Sequence, residues 1–205
     1  MRIRNKLLIN IFLLCLLNPV IPPAVFAEYN NVSGDTYFRQ GKFSEAAGEY
    51  KKAITLSPND SDLYNNLGLA YYSLGRIKAA VVEYEKAVKI KPDYADAFYN
   101  LGVAYFSQGR TADAIVAYKK ALKINPDDSE AHNNLGIAYH KKSNFLNSIT
   151  EYKKALKINP KFSKAYYNLG LAYEKFGKPD LAFSQFKIAC MGGIKEACQK
   201  VKPGK

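Results

Sequence analysis

Chemistry needs particular side chains at particular spacings, and this chain offers few of them. Its two histidines, His132 and His140, lie eight residues apart, whereas a metal-binding pair on one helix sits three or four apart. No GxSxG, HExxH or CxxC pattern and no phosphate-binding glycine loop occurs. The 18 acidic residues are scattered near expected helix starts or beside lysines. None forms the isolated pair in an apolar setting that a tuned general acid requires. The chain is therefore expected not to be an enzyme and to need neither a metal nor a cofactor. One polar set does repeat: Asn66, Asn100, Asn134 and Asn168 recur every 34 residues. A carboxamide both donates and accepts, so such a ladder could hold an extended peptide backbone without reading its sequence.

The same period runs through the elements that must carry those amides. Pro58, Pro92, Pro126 and Pro160 are each 34 apart, and so are Gly34, Gly68, Gly102, Gly136 and Gly170. Tyr37, Tyr71, Tyr105, Tyr139 and Tyr173 keep the register, as does the alanine column from Ala53 to Ala189. A fixed period between 20 and 50 residues means stacked supersecondary units. Within residues 61–94, Tyr64, Leu67, Tyr71 and Leu74 recur three and four apart, the spacing of one helical face. Gly75 ends that helix, because glycine tolerates the left-handed conformation past a helix C-terminus. A second helix from about Lys78 to Lys89 turns Val81, Tyr84 and Val88 inward, and Pro92 closes the unit. The mid-helix glycines each cost about 1 kcal/mol relative to alanine. The expected compensation is close approach of the paired helix, with Ala80 and Ala87 facing Gly68 and the tyrosine column filling the gap to the next unit.

The composition, 48% hydrophobic and 23% charged over 205 residues, excludes a disordered or collagen-like chain. The N-terminus reads as an address. Arg2, Arg4 and Lys6 precede an apolar run from Leu7 to Leu17, then prolines, then Val25-Phe26-Ala27. Basic, apolar and small-residue regions in that order describe a secretory signal peptide over residues 1–27, cut between Ala27 and Glu28. The alternative is an uncleaved anchor, but the run is about half the roughly 20 apolar residues that a spanning helix needs. Cys15 follows Leu14 rather than the small residue of a lipidation signal. The expected location is periplasmic or extracellular in a bacterial-type envelope, with no integral membrane segment after cleavage. Cys190 and Cys198 then remain in an oxidising compartment, which points to a disulfide, the alternative being two buried free thiols.

Tyr64, Leu67, Gly68, Tyr71, Ala80, Tyr84, Ala87 and Pro92 together resemble the tetratricopeptide repeat. The resemblance implies an all-α fold: a right-handed α-solenoid of five helix-turn-helix repeats plus a short capping helix. The units run over 28–60, 61–94, 95–128, 129–162 and 163–196, with the end of the cap and a basic tail over 197–205. Two units depart from the pattern. The first has Asn30 and Ser33 in place of an aromatic and a leucine, so its first helix is expected to be weak. The fourth has His132 for the aromatic, Ser143 for the helix-ending glycine and Ser148 for the first alanine. It is expected to stack least well, with His132 as core filler. The Ala189-Cys190 and Ala197-Cys198 pairs resemble the cysteine-rich Sel-like relatives of this repeat. That likeness implies pairing of Cys190 with Cys198, which would pin a cap formed by Ile194 to Val201 onto the last unit.

The resemblance also implies a concave groove lined by the first helices, and with it a protein or peptide partner. There the four asparagines would hold backbone, while Leu69, Tyr72, Tyr99, Val103, Phe106 and Ile137 would supply apolar contact. The alternatives are that asparagine is simply common at this register and that the apolar stripe is internal packing. The lysine and asparagine clamp that some relatives use for carboxyl termini is not supported: the matching places hold Asn65 and Leu69, then Tyr99 and Val103. A net charge of +12 and a lysine stripe on the second helices offer a competing partner, an anionic envelope surface held electrostatically. A self-associating spacer is the third possibility. Nucleic acid is not expected outside the cytoplasm.

Overall fold

The computed structural model describes residues 22–201. Most of the expected signal peptide, residues 1–21, lies outside them. The described residues form eleven helices and no strand, and the chain divides between Pro92 and Asp93 into two compact units. The first unit holds α1 (Pro23–Arg39), α2 (Phe43–Leu56), α3 (Ser61–Ser73) and α4 (Ile77–Ile90). The second holds α5 (Ala95–Ser107), α6 (Thr111–Ile124), α7 (Ser129–Lys141), α8 (Phe145–Ile158), α9 (Ser163–Lys175), α10 (Pro179–Met191) and α11 (Lys195–Lys200). Within each unit α1 packs on α2, α3 on α4, α5 on α6, α7 on α8 and α9 on α10. Successive pairs then stack through α2 on α3, α6 on α7, α8 on α9 and α10 on α11. This is the all-α helix-turn-helix array that the 34-residue columns imply.

Local chemistry sets the ends of the helices. Asp60 caps α3 by accepting from the Asp62 amide at 2.9 Å. Asp128 caps α7 by accepting from the Glu130 and Ala131 amides, also at 2.9 Å. Each satisfies amides that have no partner inside the helix. Gly75 takes φ 72° after α3, and the Arg76 amide turns back to the Tyr71 carbonyl at 2.8 Å. In the fourth pair Ser143 occupies that position at φ 58°, a conformation that a side chain adopts only at a cost.

The glycine column marks close approach of the paired helix, as expected, but the nearest group is a ring. A Cβ placed on Gly68 would lie 2.5 Å from Cε1 of Tyr84, and one on Gly102 would lie 2.6 Å from two ring carbons of Tyr118. Gly34, Gly136 and Gly170 stand in the same relation to Tyr50, Tyr152 and Phe186. Each first helix therefore gives up its side chain to seat a ring of its own partner helix. Tyr50, Tyr84 and Tyr152 are among the largest fully buried side chains. The tyrosine column also faces the other way from expectation. Lys51 of α2 lies over Tyr71, Lys119 of α6 over Tyr139 and Lys153 of α8 over Tyr173, at 5.4, 5.6 and 5.8 Å from the ring centres. Those tyrosines close the gap to the preceding pair.

The N-terminal helix α1 is continuous, although Ala27 and Gly34 are its only buried residues. Ala27 and Glu28 both sit inside it, so the expected cut would remove its first turn. At the other end α11 packs on α10. Cys190 and Cys198 form a disulfide, and Cys190, Ile194 and Val201 pack against the cluster of Ala182, Phe186, Ala189 and Ala197. Lys200 reaches both carboxylate oxygens of Glu174 at 3.0 Å and so ties the cap to α9.

Candidate functional site

The period of 34 on a helix of 3.6 residues per turn places equivalent side chains of successive first helices side by side. In the first unit Asn66 and Leu69 of α3 line a pocket of about 230 Å³ with Asp35, Phe38, Arg39 and Tyr50. Asn66 Nδ2 donates to Asn31 Oδ1 of α1 at 3.4 Å, and the Tyr50 hydroxyl donates to Asp35 at 2.9 Å. Tyr72 lies one turn on, half-buried.

In the second unit α5 carries Tyr99, Asn100, Val103 and Phe106, α7 carries Asn134 and Ile137, and α9 carries Asn168. All seven are half-buried. Tyr99, Val103 and Phe106 pack against the cluster of Ala114, Tyr118, Leu135 and Ala138, and the Lys141 ammonium sits 4.8 Å from the Phe106 ring centre. Asn134 Nδ2 donates to the Tyr99 hydroxyl at 2.9 Å, and that hydroxyl donates to Glu130 Oε2 at 3.4 Å. Asn168 Nδ2 donates to Asn133 Oδ1 at 3.0 Å. Burial first, then the charge of Glu130, pushes the Tyr99 phenol up to about 12. It stays protonated and can serve as donor to Glu130 while accepting from Asn134.

The amides at 66, 134 and 168 thus reach a residue 35 positions earlier, at 31, 99 and 133. The lateral bond uses one N–H of each and fixes the plane of the carboxamide. Asn31, Asn133 and Glu130 were not singled out as site residues by the sequence reading. The signal that could have found Asn133 is its place beside Asn134 with Asn65 as its equivalent in the second repeat; both are buried, at 6% and 5% exposure.

On the second helices, much of the lysine stripe is engaged within the fold. Lys51, Lys119 and Lys153 lie over tyrosines, Lys86 over Tyr64 and Lys120 over Phe98. Lys52 and Lys86 also pair with Glu49 and Glu83 three residues away. Exposed pairs of this kind contribute about 0.2–1 kcal/mol each.

The histidines sit apart in chemistry as in spacing. His132 is buried, with Nδ1 2.6 Å from Glu151 Oε2 and Nε2 3.0 Å from the Pro126 carbonyl. His140 meets the edge of Phe145, and burial together with the charge of Lys175 lowers its affinity for a proton. Burial works to raise the Glu151 carboxyl, but hydrogen bonds from His132 and Lys154 hold it below the usual carboxylate range. Among the described residues no three His, Cys, Asp or Glu side chains gather as a metal site. No described helix is long and apolar enough to cross a membrane.

The family profile described as TPR repeat matches residues 34–75, 68–109, 104–143 and 144–177. No curated protein matches the chain significantly in sequence. Among solved structures, a crystal structure of MamA is 33% identical over 80% of this chain and 96% of its own, with a TM-score of 0.74. Another of MamA protein is 30% identical over 88% and 98%, with a TM-score of 0.76. YrrB, described as a TPR protein with an unusual peptide-binding site, is 20% identical over 83% and 89%, with a TM-score of 0.72. That last likeness is one of fold.

Proposed function

The chain belongs to the tetratricopeptide repeat family, and from that premise we propose that it is an exported protein-interaction module, an adaptor or assembly factor of the cell envelope. The proposed ligand is a peptide segment seated on the first helices. In the second unit Tyr99, Val103, Phe106 and Ile137 supply apolar contact, and Asn100, Asn134 and Asn168 hold backbone. In the first unit Asn66, Leu69 and Tyr72 do the same. The observation that carries this reading is the pinned carboxamide of Asn134 between half-buried apolar neighbours. Its lateral bond to Tyr99 orients the amide before any ligand arrives, which reduces the ordering cost of binding. Asn134 Oδ1 also accepts from Asn133 Nδ2 at 3.4 Å; its second lone pair and the remaining N–H are the acceptor and donor that an extended backbone needs. YrrB, which shares the fold, is described as a TPR protein with an unusual peptide-binding site. Export rests on the basic and apolar order of the N-terminus.

Photo-crosslinking in intact cells tests the reading. A photoreactive residue at Phe106 should yield a discrete protein adduct, and Asn134→Ala should reduce its yield. For an isolated peptide taken from that adduct, Phe106→Ala should cost about 1–3 kcal/mol of binding, as a central aromatic anchor does. Adducts formed only from a probe at Lys120, and lost in high salt, would instead support an electrostatic tether. Adducts of the chain with itself alone would support a spacer.

A further inference from the structure

The second unit contains a cleft of about 820 Å³ lined from α6, α7 and α8, on the side of the second helices. His132, where the fourth pair departs from the aromatic column, forms part of its wall. In the first unit Tyr64 fills the equivalent place, its hydroxyl donating to the Pro58 carbonyl at 3.0 Å and Lys86 lying over its ring. In the third pair Phe98 fills it beneath Lys120. His132 keeps the bond to the proline carbonyl, through Nε2 to Pro126 at 3.0 Å, but its ring is smaller. Nδ1 turns to Glu151 at 2.6 Å, and Lys154, the counterpart of Lys86 and Lys120, pairs with Glu151 Oε1 at 2.9 Å.

Its chemistry is two-sided. Leu122, Leu135 and Ile158 give an apolar lining, and Lys119, Lys123, Lys154 and Lys157 bring four ammonium groups to it. Glu151 lies between His132 and Lys154, whose hydrogen bonds hold its carboxyl below the usual range. Asp127 is the one other carboxylate in the lining, which leaves the cleft with an excess of positive charge. Lys119 is held over Tyr139 and Lys154 by Glu151. Lys123 and Lys157 have no ion-pair partner among the described residues.

We propose that this cleft is a binding site for a compact amphiphilic polyanion, an aromatic or aliphatic body carrying phosphate groups, with Lys123 and Lys157 as its main charged contacts. The volume falls within the 300–1,000 Å³ of sites for drug-sized ligands. Lysine is a flexible point charge that suits phosphate. A flat anionic bilayer meets the ammonium groups but not Leu135, which is 3% exposed at the base; a ligand that enters the cleft meets both.

The test is a fluorescence titration of the full chain with trinitrophenyl-ATP, which has an aromatic body and three phosphates, competed by unlabelled pyrophosphate. Saturable binding to one site is expected, with at least a tenfold loss in the double variant Lys123→Glu, Lys157→Glu. Lys51→Glu, Lys52→Glu removes equal charge from the first unit and should change the affinity less than twofold. Circular dichroism melts identify a variant that fails to fold, and the single variants Lys123→Glu and Lys157→Glu, each expected to lose part of the affinity, supply a second route. No saturable binding, or equal losses in both lysine pairs, would overturn the proposal. So would cosedimentation with phosphatidylglycerol vesicles, lost in Lys123→Glu, Lys157→Glu, from a chain that does not bind the nucleotide.

Discussion

At the scale of single residues the fold turns on rings seated over glycines. Gly102 of α5 and Tyr118 of α6 show why. A Cβ at Gly102 would sit 2.6 Å from ring carbons of a tyrosine that is 2% exposed. A buried ring enclosed by its neighbours has no room to retreat, so Gly102→Ala overpacks the pair. Overpacking costs typically about 1–3 kcal/mol, whereas the alanine returns about 1 kcal/mol of helix propensity. Gly102→Ala should therefore destabilise in urea unfolding, by up to about 2 kcal/mol. Adding Tyr118→Leu should recover part of that loss, because the branched side chain leaves space beside the new methyl. A stabilised Gly102→Ala would show that the ring can move and that the column has another cause. The sequence revealed the column and its cost but not its beneficiary. Spacing tells which residues share a face, and a partner 16 residues away on another helix is settled only by how the two helices cross. The direction of the tyrosine column was illegible for the same reason.

At the scale of elements, the helices and their ends were largely legible. Asp60, Asp128 and Gly75 each act through their own backbone, so local sequence is enough. The amide ladder was legible as a column and not as a network, since the bond from Asn134 to Tyr99 and that from Asn168 to Asn133 depend on how neighbouring helices tilt. The cleft at His132 left a trace in the sequence, because the fourth unit departs from the aromatic column. His132 is itself buried, at 7% exposure, as core filler would be; its bond to Glu151 depends on how α7 and α8 cross and was not legible. The C-terminal cap is the element whose stability rests most on a covalent bond. The helix α11 has six residues, too few to hold by itself, and one buried residue, Ala197. The Cys190–Cys198 bridge closes a loop with a sequence separation of 8, which the chain-entropy view rates at about 2–3 kcal/mol. Cys190→Ser, Cys198→Ser should lower the unfolding free energy by about that amount. Hydrogen exchange should speed up first in α11 and the end of α10. Exchange that rises uniformly along the chain would argue against a local cap.

At the scale of the whole molecule the array divides unevenly. The first unit has two helix pairs, and in α1 only Ala27 and Gly34 are buried. The second has three pairs, the cap and the continuous cluster from Ile149 and Tyr152 through Leu169 and Phe186 to Ala197. In stacked arrays each unit covers its neighbour's apolar face, and about three repeats are needed before burial exceeds the ordering cost. Residues 93–205 meet that count and residues 22–92 do not. The fragment 93–205 should therefore fold alone, with a cooperative thermal melt and helical circular dichroism, whereas 22–92 should remain mostly unfolded in isolation. The same experiment bears on export. Cleavage after Ala27 removes one of the two buried residues of α1, and a fragment 28–92 should be less helical still. A cooperative melt from 22–92 would mean that two pairs suffice here and that the rings over Gly34 and Gly68 contribute more than repeat counting allows. Failure of 93–205 would mean that three pairs and the cap do not fold without residues 22–92, and that the chain folds as one cooperative array rather than as two units of unequal strength.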